Sequence, residues 1–264
     1  MKTIILAGGF GTRLSEKTQH LPKSLVEIGD KPILWHIMQH YSLYEYHDFV
    51  VAVGYLGEQI KQYFLNYFFL NHDLSLDLKN NTTKISKGQI PPWNIDIIQT
   101  GTHTQTGGRI KRLKDTIGSE TFMLTYGDGL CDVDIDELVA FHRSHKKLAT
   151  VTAVHPPPRF GGMEIQGDLV TKFSEKPQKD WVNGGFFVLE PEVLNYIEGD
   201  ETMWEKAPLE RLAEEGELMA FKHSGFWHPM DTLRDHRVLE ALVESKEEYW
   251  LKKREKKHES FLEK

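Results

Sequence analysis

The chain has 264 residues, 39% of them hydrophobic and 27% charged, with a formal net charge of −7. This is globular composition with material for a sizeable core, and its acidic balance argues against a nucleic-acid or membrane-surface binder. Its only cysteine, Cys131, excludes an intrachain disulfide and a thiolate metal cluster. Met1 leads straight into a strand pattern, and no apolar run reaches the ~20 residues of a membrane span, so a reduced, cytoplasmic setting is expected.

Thr3–Ala7 reads as a buried strand, short, apolar and ended by glycine. Residues 32–44 have helical spacing, with Ile33, Ile37, His40 and Tyr41 on one face and Pro32 suited to a first turn. Asp48–Val53 is a second buried strand, and 57–69 an aromatic-rich helix. Residues 71–95 alternate around Asn80 and Asn81 before the Pro91-Pro92 break, as a long hairpin or flap does. A strand at 95–99, a helix beginning in 109–114 and a strand at 121–126 follow. Ile135–His145 is a helix and Ala149–Val154 a strand. Strands and helices alternating at these intervals predict βαβ units, an α/β class and a mixed, mostly parallel central sheet flanked by helices.

Beyond Pro156-Pro157-Pro158 the texture changes: 163–174 alternates around Gly167-Asp168 as a hairpin, 185–189 is another strand, and 238–264 is helical in pattern and heavily charged. The run 252–257 reads as a solvated helix face. The expected organisation is one domain over 1–264: a first half (1–154, with the flap at 71–95), a second part (155–235) that extends the same sheet, and a C-terminal helical segment (236–264).

The first strand empties into Gly8-Gly9-Phe10-Gly11-Thr12-Arg13-Leu14, with Pro22-Lys23 shortly after. A dinucleotide fingerprint would need a third glycine where Leu14 stands, and an acidic residue closing the second strand, whereas Asp48 precedes it. A phosphate loop of the G-x-x-x-x-G-K-[ST] kind needs a Gly-Lys pair that the chain lacks. What remains is G-G-x-G-T-R-L followed by P-K. Glycine amides can wrap a triphosphate because no Cβ blocks the approach. Arg13 adds a forked donor for phosphate oxygens, and Lys23 adds a mobile point charge.

Asp128 follows a buried strand directly and lies between Gly127 and Gly129, where open α/β sheets bind their ligands. Magnesium favours one or two carboxylates together with phosphate oxygens and water, so Asp128 suits that ion. Asp231 precedes a helical pattern, which by itself reads as a cap. Asp132, Asp134 and Asp136 alternate like a calcium loop, yet no glycine falls at the sixth position and Arg143 takes the twelfth; Asp134 reads as a helix cap. His36 and His40 stand four apart in an apolar helix without an adjoining glutamate motif, and read as core histidines.

The glycine loop resembles the signature of sugar-phosphate nucleotidyltransferases, which join a nucleoside triphosphate to a sugar 1-phosphate and release pyrophosphate. Residues 26–38, TGGR at 106–109, YGDG at 126–129, EKP at 175–177, NGGFFVL at 183–189 and GFWHPMDTLR at 225–234 look like further blocks of that family. The WHIM, PPW, TGGR and PMDTLR stretches match its cytidylyl branch. The resemblance implies a Rossmann-like nucleotidyltransferase fold, CTP and glucose 1-phosphate as substrates, Mg²⁺ as cofactor, and a homo-oligomer in which residues 71–95 reach a neighbour. It implies catalytic roles for Arg13, Lys23 and Asp128. It assigns the nucleotide to Leu6, Ala7, Gly8, Gly9, Gly11, Thr12, Arg13, Lys23, Thr104, Gly108, Arg109 and Asp128. Arg159, Glu175, Lys176, Asn183 and Gly184 would take the sugar phosphate, and Asp128 with Asp231 the metal. Two departures fall near these positions: Ser24-Leu25 replaces the family's Pro-Met, and Gly162-Met163 replaces Ala-Leu. The second lies beside Arg159-Phe160-Gly161, which the resemblance places near the sugar.

Overall fold

The computed structural model describes residues 1–14, 18, 20–86, 90–157, 161–174 and 180–253. In chain order its elements begin with β1 (Thr3–Ala7), α1 (Ile33–Ser42), β2 (Asp48–Val53) and α2 (Gly57–Leu70). The hairpin strands β3 (Leu74–Asp77) and β4 (Thr82–Ile85) follow, then β5 (Asn94–Gln99), α3 (Thr106–Arg112), α4 (Lys114–Ile117), β6 (Phe122–Tyr126) and β7 (Gly129–Cys131). Next come α5 (Ile135–His145), β8 (Ala149–Val154), a second hairpin of β9 (Gly162–Gln166) and β10 (Leu169–Ser174), and β11 (Val182–Leu189). The series closes with α6 (Ala207–Glu214), β12 (Leu218–Lys222), β13 (Trp227–Pro229) and α7 (Leu233–Glu244).

Seven strands make one sheet in the order β12-β8-β11-β6-β1-β2-β5. Four neighbouring pairs are parallel, and β11 runs against both of its neighbours. This is the mixed, mostly parallel sheet that the alternation of elements predicts. β1 and β2 are apolar over consecutive positions because helices cover both faces of the sheet. Ile5, Ala7, Phe49, Val51 and Val53 point into a core with Ile33, Ile37 and Leu239, whereas Ile4, Leu6, Val50 and Ala52 meet Ile110, Leu113, Trp204 and Leu212 on the other side.

Local signals place the ends of several elements. The Asp134 side chain accepts from the Glu137 amide at 3.0 Å and caps α5, as expected. The helix expected from residue 109 starts earlier, at Thr106, because Gln105 is extended ahead of it. Its Gly107 and Gly108 pack against the backbone of Thr202 and Asp200, where a Cβ would come within 2.7 and 2.6 Å. The C-terminal helix is also displaced from the expected 238–264. It runs from Leu233 to Glu244, and residues 254–264 lie outside the described set. No described helix is long and apolar enough to cross a membrane.

His36 and His40 are buried core residues. The Trp250 indole donates to His36 Nδ1 at 3.1 Å, which leaves Nε2 to donate to the Ile28 carbonyl at 2.9 Å. His142, beneath the sheet, lies 2.9 Å from Thr150 Oγ1 and 3.0 Å from Glu190 Oε1. Burial lowers the pKa values of His36, His142 and His145 below the ordinary 6.5. The native state therefore binds fewer protons than the unfolded chain, and the stability present above 6.5 is lost as pH falls below it. The melting temperature should be level above about pH 7 and drop between about pH 6.5 and 5. Scanning calorimetry across that range checks this, and His142→Gln should flatten the slope.

Candidate active site

β1, β2, β5 and β6 run parallel, so their carboxyl ends share one edge of the sheet. Running the other way, β11 brings its first residues to that same edge. A cleft of about 730 Å³ opens there, at the position where such sheets hold ligands. Leu6, Ala7, Gly8, Gly9, Gly11, Thr12, Lys23, Thr104, Arg109, Asp128, Asn183, Gly184 and Asp231 all border it.

The glycine loop is shaped from both sides. Gly11 has φ +66°, a left-handed conformation that favours glycine, and its carbonyl accepts from the Leu14 amide at 3.0 Å and the Thr18 hydroxyl at 2.8 Å. A side chain on Gly9 would meet open space, so this stretch of backbone faces the cleft bare. Beneath the loop lies Arg109, only 4% exposed. Its guanidinium donates to the carbonyl of Gly8 at 2.9 Å, the carbonyl of Gly101 at 2.6 Å and the hydroxyl of Thr100 at 2.8 Å. Burial, with Arg112 nearby, lowers its pKa below the ordinary arginine range, and these acceptors compensate the buried charge. A Cβ on Gly8 would collide with that guanidinium. Arg109 thus braces the loop from below, while Gly108 packs away from the loop against Asp200.

The two carboxylates are brought together by a short ribbon. β7 pairs antiparallel with β13, Gly129 opposite Pro229 and Cys131 opposite Trp227. The Met230 amide extends the ladder by donating to the Asp128 carbonyl at 2.8 Å. Asp231 therefore emerges beside Asp128. The helix cap expected of Asp231 belongs to its neighbour: Thr232 accepts from the Asp235 amide, and the Asp235 carboxylate accepts from the Thr232 amide, a reciprocal capping box.

Lys23 lies between these carboxylates. It opens a 3-10 turn (Lys23–Leu25) whose Ser24 and Leu25 are buried, after extended Pro22. Its ammonium is 2.6 Å from Asp128 Oδ2 and 2.8 Å from Asp231 Oδ1. Burial pulls the Lys23 pKa down, but Asp128 and Asp231 outweigh it and the net shift is upward. The group stays charged. Two carboxylates converging on one cation form a hard-oxygen donor set of the kind magnesium takes.

Tyr126, Glu205 and Gly185 also line the cleft, though the sequence assigned none of the three a role. Tyr126 ends β6, and burial with the adjacent Glu205 carboxylate raises its pKa, so it remains a neutral phenol. Glu205 Oε2 also accepts from the Thr106 hydroxyl at 2.7 Å. The amide of Asn183 donates to the Tyr126 hydroxyl at 3.3 Å, and its Oδ1 accepts from the Gly185 amide at 2.8 Å. Gly185 has φ +80°, and a Cβ there would come within 2.5 Å of the Tyr126 ring. The register of β8 against β11 is irregular at this point, and such a bulge turns a side chain toward a site. Ser24 also lines the cleft, its buried hydroxyl without a hydrogen-bond partner among the described residues. Arg159, Glu175, Lys176 and the side chain of Arg13 lie outside the described residues.

The family model described as nucleotidyl transferase matches residues 2–232. The chain belongs to that family. The glucose-1-phosphate cytidylyltransferase of Salmonella typhi is 50% identical over 253 residues, which cover 95% of this chain and 98% of that protein. The enzyme of the same name from Salmonella typhimurium is 49% identical over the same length, with the same coverage. Among solved structures, a UDP-glucose pyrophosphorylase complexed with UDP-glucose superposes with a TM-score of 0.68 at 16% identity, covering 93% of this chain and 98% of that one. At that identity the likeness speaks to the fold alone, which is the Rossmann-like nucleotidyltransferase fold.

Proposed function

We propose that this chain transfers a cytidylyl group from CTP to α-D-glucose 1-phosphate, releasing pyrophosphate and giving CDP-glucose. The observation that carries this reading is the 50% identity to a glucose-1-phosphate cytidylyltransferase over nearly the whole of both chains. The cleft supports it independently, since it combines a bare glycine backbone, a lysine and two converging carboxylates at the carboxyl edge of the sheet.

The phosphate of a sugar 1-phosphate loses its second proton near pH 6, so the nucleophile is already an oxyanion and needs no strong base. A phosphate oxygen forms a bond to the α-phosphorus of CTP as the bond to the departing pyrophosphate breaks. The obstacle is charge: a dianion must approach a tetraanion in line. Catalysis is then positioning and neutralisation. The amides of the glycine loop, with Arg13 and Lys23, hold the triphosphate, and Arg109 keeps the loop in shape. Asn183 and Gly184, with Arg159, Glu175 and Lys176, take the sugar phosphate. Asp128 and Asp231 would hold Mg²⁺, which as Lewis acid and template would supply charge stabilisation at the phosphates. The chain works in the cytoplasm as one domain and as a homo-oligomer. Exposed Leu74, Leu76, Leu78 and Ile85 on the first hairpin support an intersubunit contact.

Pyrophosphate release with CTP, UTP, dTTP, ATP and GTP against a panel of sugar 1-phosphates tests the assignment. CTP with glucose 1-phosphate should exceed every other pair by at least about tenfold in kcat/KM. Preference for UTP or dTTP would overturn the cytidylyl assignment and keep the transferase. No release with any pair would overturn both.

A further inference from the structure

We infer that Lys23 occupies the cation position between Asp128 and Asp231 until nucleotide arrives, so that this pair takes up a divalent ion only together with the triphosphate. The inference rests on the proposed metal role of the two aspartates. The ammonium contacts one oxygen of each carboxylate, at 2.6 and 2.8 Å, and its side chain is only 14% exposed. These are short, charge-assisted contacts, stronger than neutral hydrogen bonds. A magnesium ion held between the same two oxygens would take the position that the ammonium now fills. Two cations cannot share that space, so one must leave.

The backbone at Lys23 is fixed by the buried turn that follows it, and the movable part is the side chain. Without nucleotide, an ammonium displaced by the metal would give up two carboxylate partners, and among the described residues no third carboxylate contacts it. A triphosphate on the glycine loop changes this. Its oxygens accept Lys23, the carboxylates accept the metal, and each charge keeps an opposite neighbour throughout the exchange. Metal and nucleotide are then thermodynamically linked, each raising the other's affinity by the same factor, with Lys23 as the coupling element.

The test measures Mn²⁺ binding to the nucleotide-free full chain by electron paramagnetic resonance. Lys23→Met should bind Mn²⁺ at least about tenfold more tightly than wild type. Lys23→Arg, which keeps the cation, should behave as wild type, and Lys23→Met combined with Asp231→Asn should lose the gain. Circular dichroism and melting curves check that each variant is folded. Wild type binding Mn²⁺ as tightly as Lys23→Met would overturn the inference. So would Lys23→Met binding none. In either case wild type is then titrated with α,β-methylene CTP present. A protein-bound Mn²⁺ signal, distinct from that of the Mn²⁺–nucleotide complex in buffer, would leave the metal role standing while the inference fails. Absence of that signal would remove the metal role as well.

Discussion

Lys23→Ala lowers kcat at least about 100-fold and leaves the fold intact, because one preorganised charge contact to a transition state is worth roughly 3 kcal/mol. Among the described residues its polar contacts are the Asp128 and Asp231 carboxylates, and the core does not depend on it. Steady-state kinetics with CTP and glucose 1-phosphate, beside a melting curve of the same preparation, checks both parts. Turnover within a few-fold of wild type would remove Lys23 from the catalytic machinery. The effect on turnover is separable from the effect on metal uptake: the alanine variant should bind a divalent ion more readily and still be slow, since the ion cannot replace a cation that belongs on the phosphates.

The second large effect concerns the carboxylates. Asp128→Asn and Asp231→Asn each keep shape and remove one negative charge, so either should abolish most turnover. Nucleotide affinity, held largely by the glycine loop and Arg13, should fall much less. The double variant should be little worse than either single one, because residues acting through one ion are non-additive. Single-turnover kinetics and equilibrium CTP binding on the three variants supply the comparison. Since Thr232 and Asp235 cap α7, a loss in Asp231→Asn cannot be assigned to a missing helix cap. A nearly silent Asp231→Asn beside an inactive Asp128→Asn would leave a site with one carboxylate ligand.

The sequence was most legible where burial is two-sided or a cap is local. Thr3–Ala7, Asp48–Val53 and Ala149–Val154 form where their apolar runs lie, and Ile135–His145 starts where Asp134 caps it. The glycine loop and PK pair were visible because their side chains and missing side chains have a direct chemical use. Less could be read of what joins them. Three-residue strands such as Gly129–Cys131 and Trp227–Pro229 carry no measurable period, so the ribbon that sets Asp231 beside Asp128 could not be seen. Arg109 was legible as a residue of the nucleotide side, but not the turn of its five-donor guanidinium toward main-chain carbonyls and Thr100. Glu205 sits in a stretch with no motif, and only the close packing of Gly107 and Gly108 against residues 200–202 reveals why that stretch reaches the cleft.

The ribbon also has a consequence for synthesis on the ribosome. The glycine loop, Lys23 and Asp128 leave the exit tunnel well before Trp227–Pro229 and Asp231 do. Segments nearer the start generally fold first as a chain emerges, so a nascent polypeptide can shape the triphosphate cradle long before the second carboxylate exists outside the tunnel. Of its two carboxylate partners Lys23 then has Asp128 alone. A product stopped before residue 231 could shelter a nucleotide without being able to turn it over. The chemistry is in this way tied to synthesis past residue 231, and a product stopped short of it is inert rather than half-active.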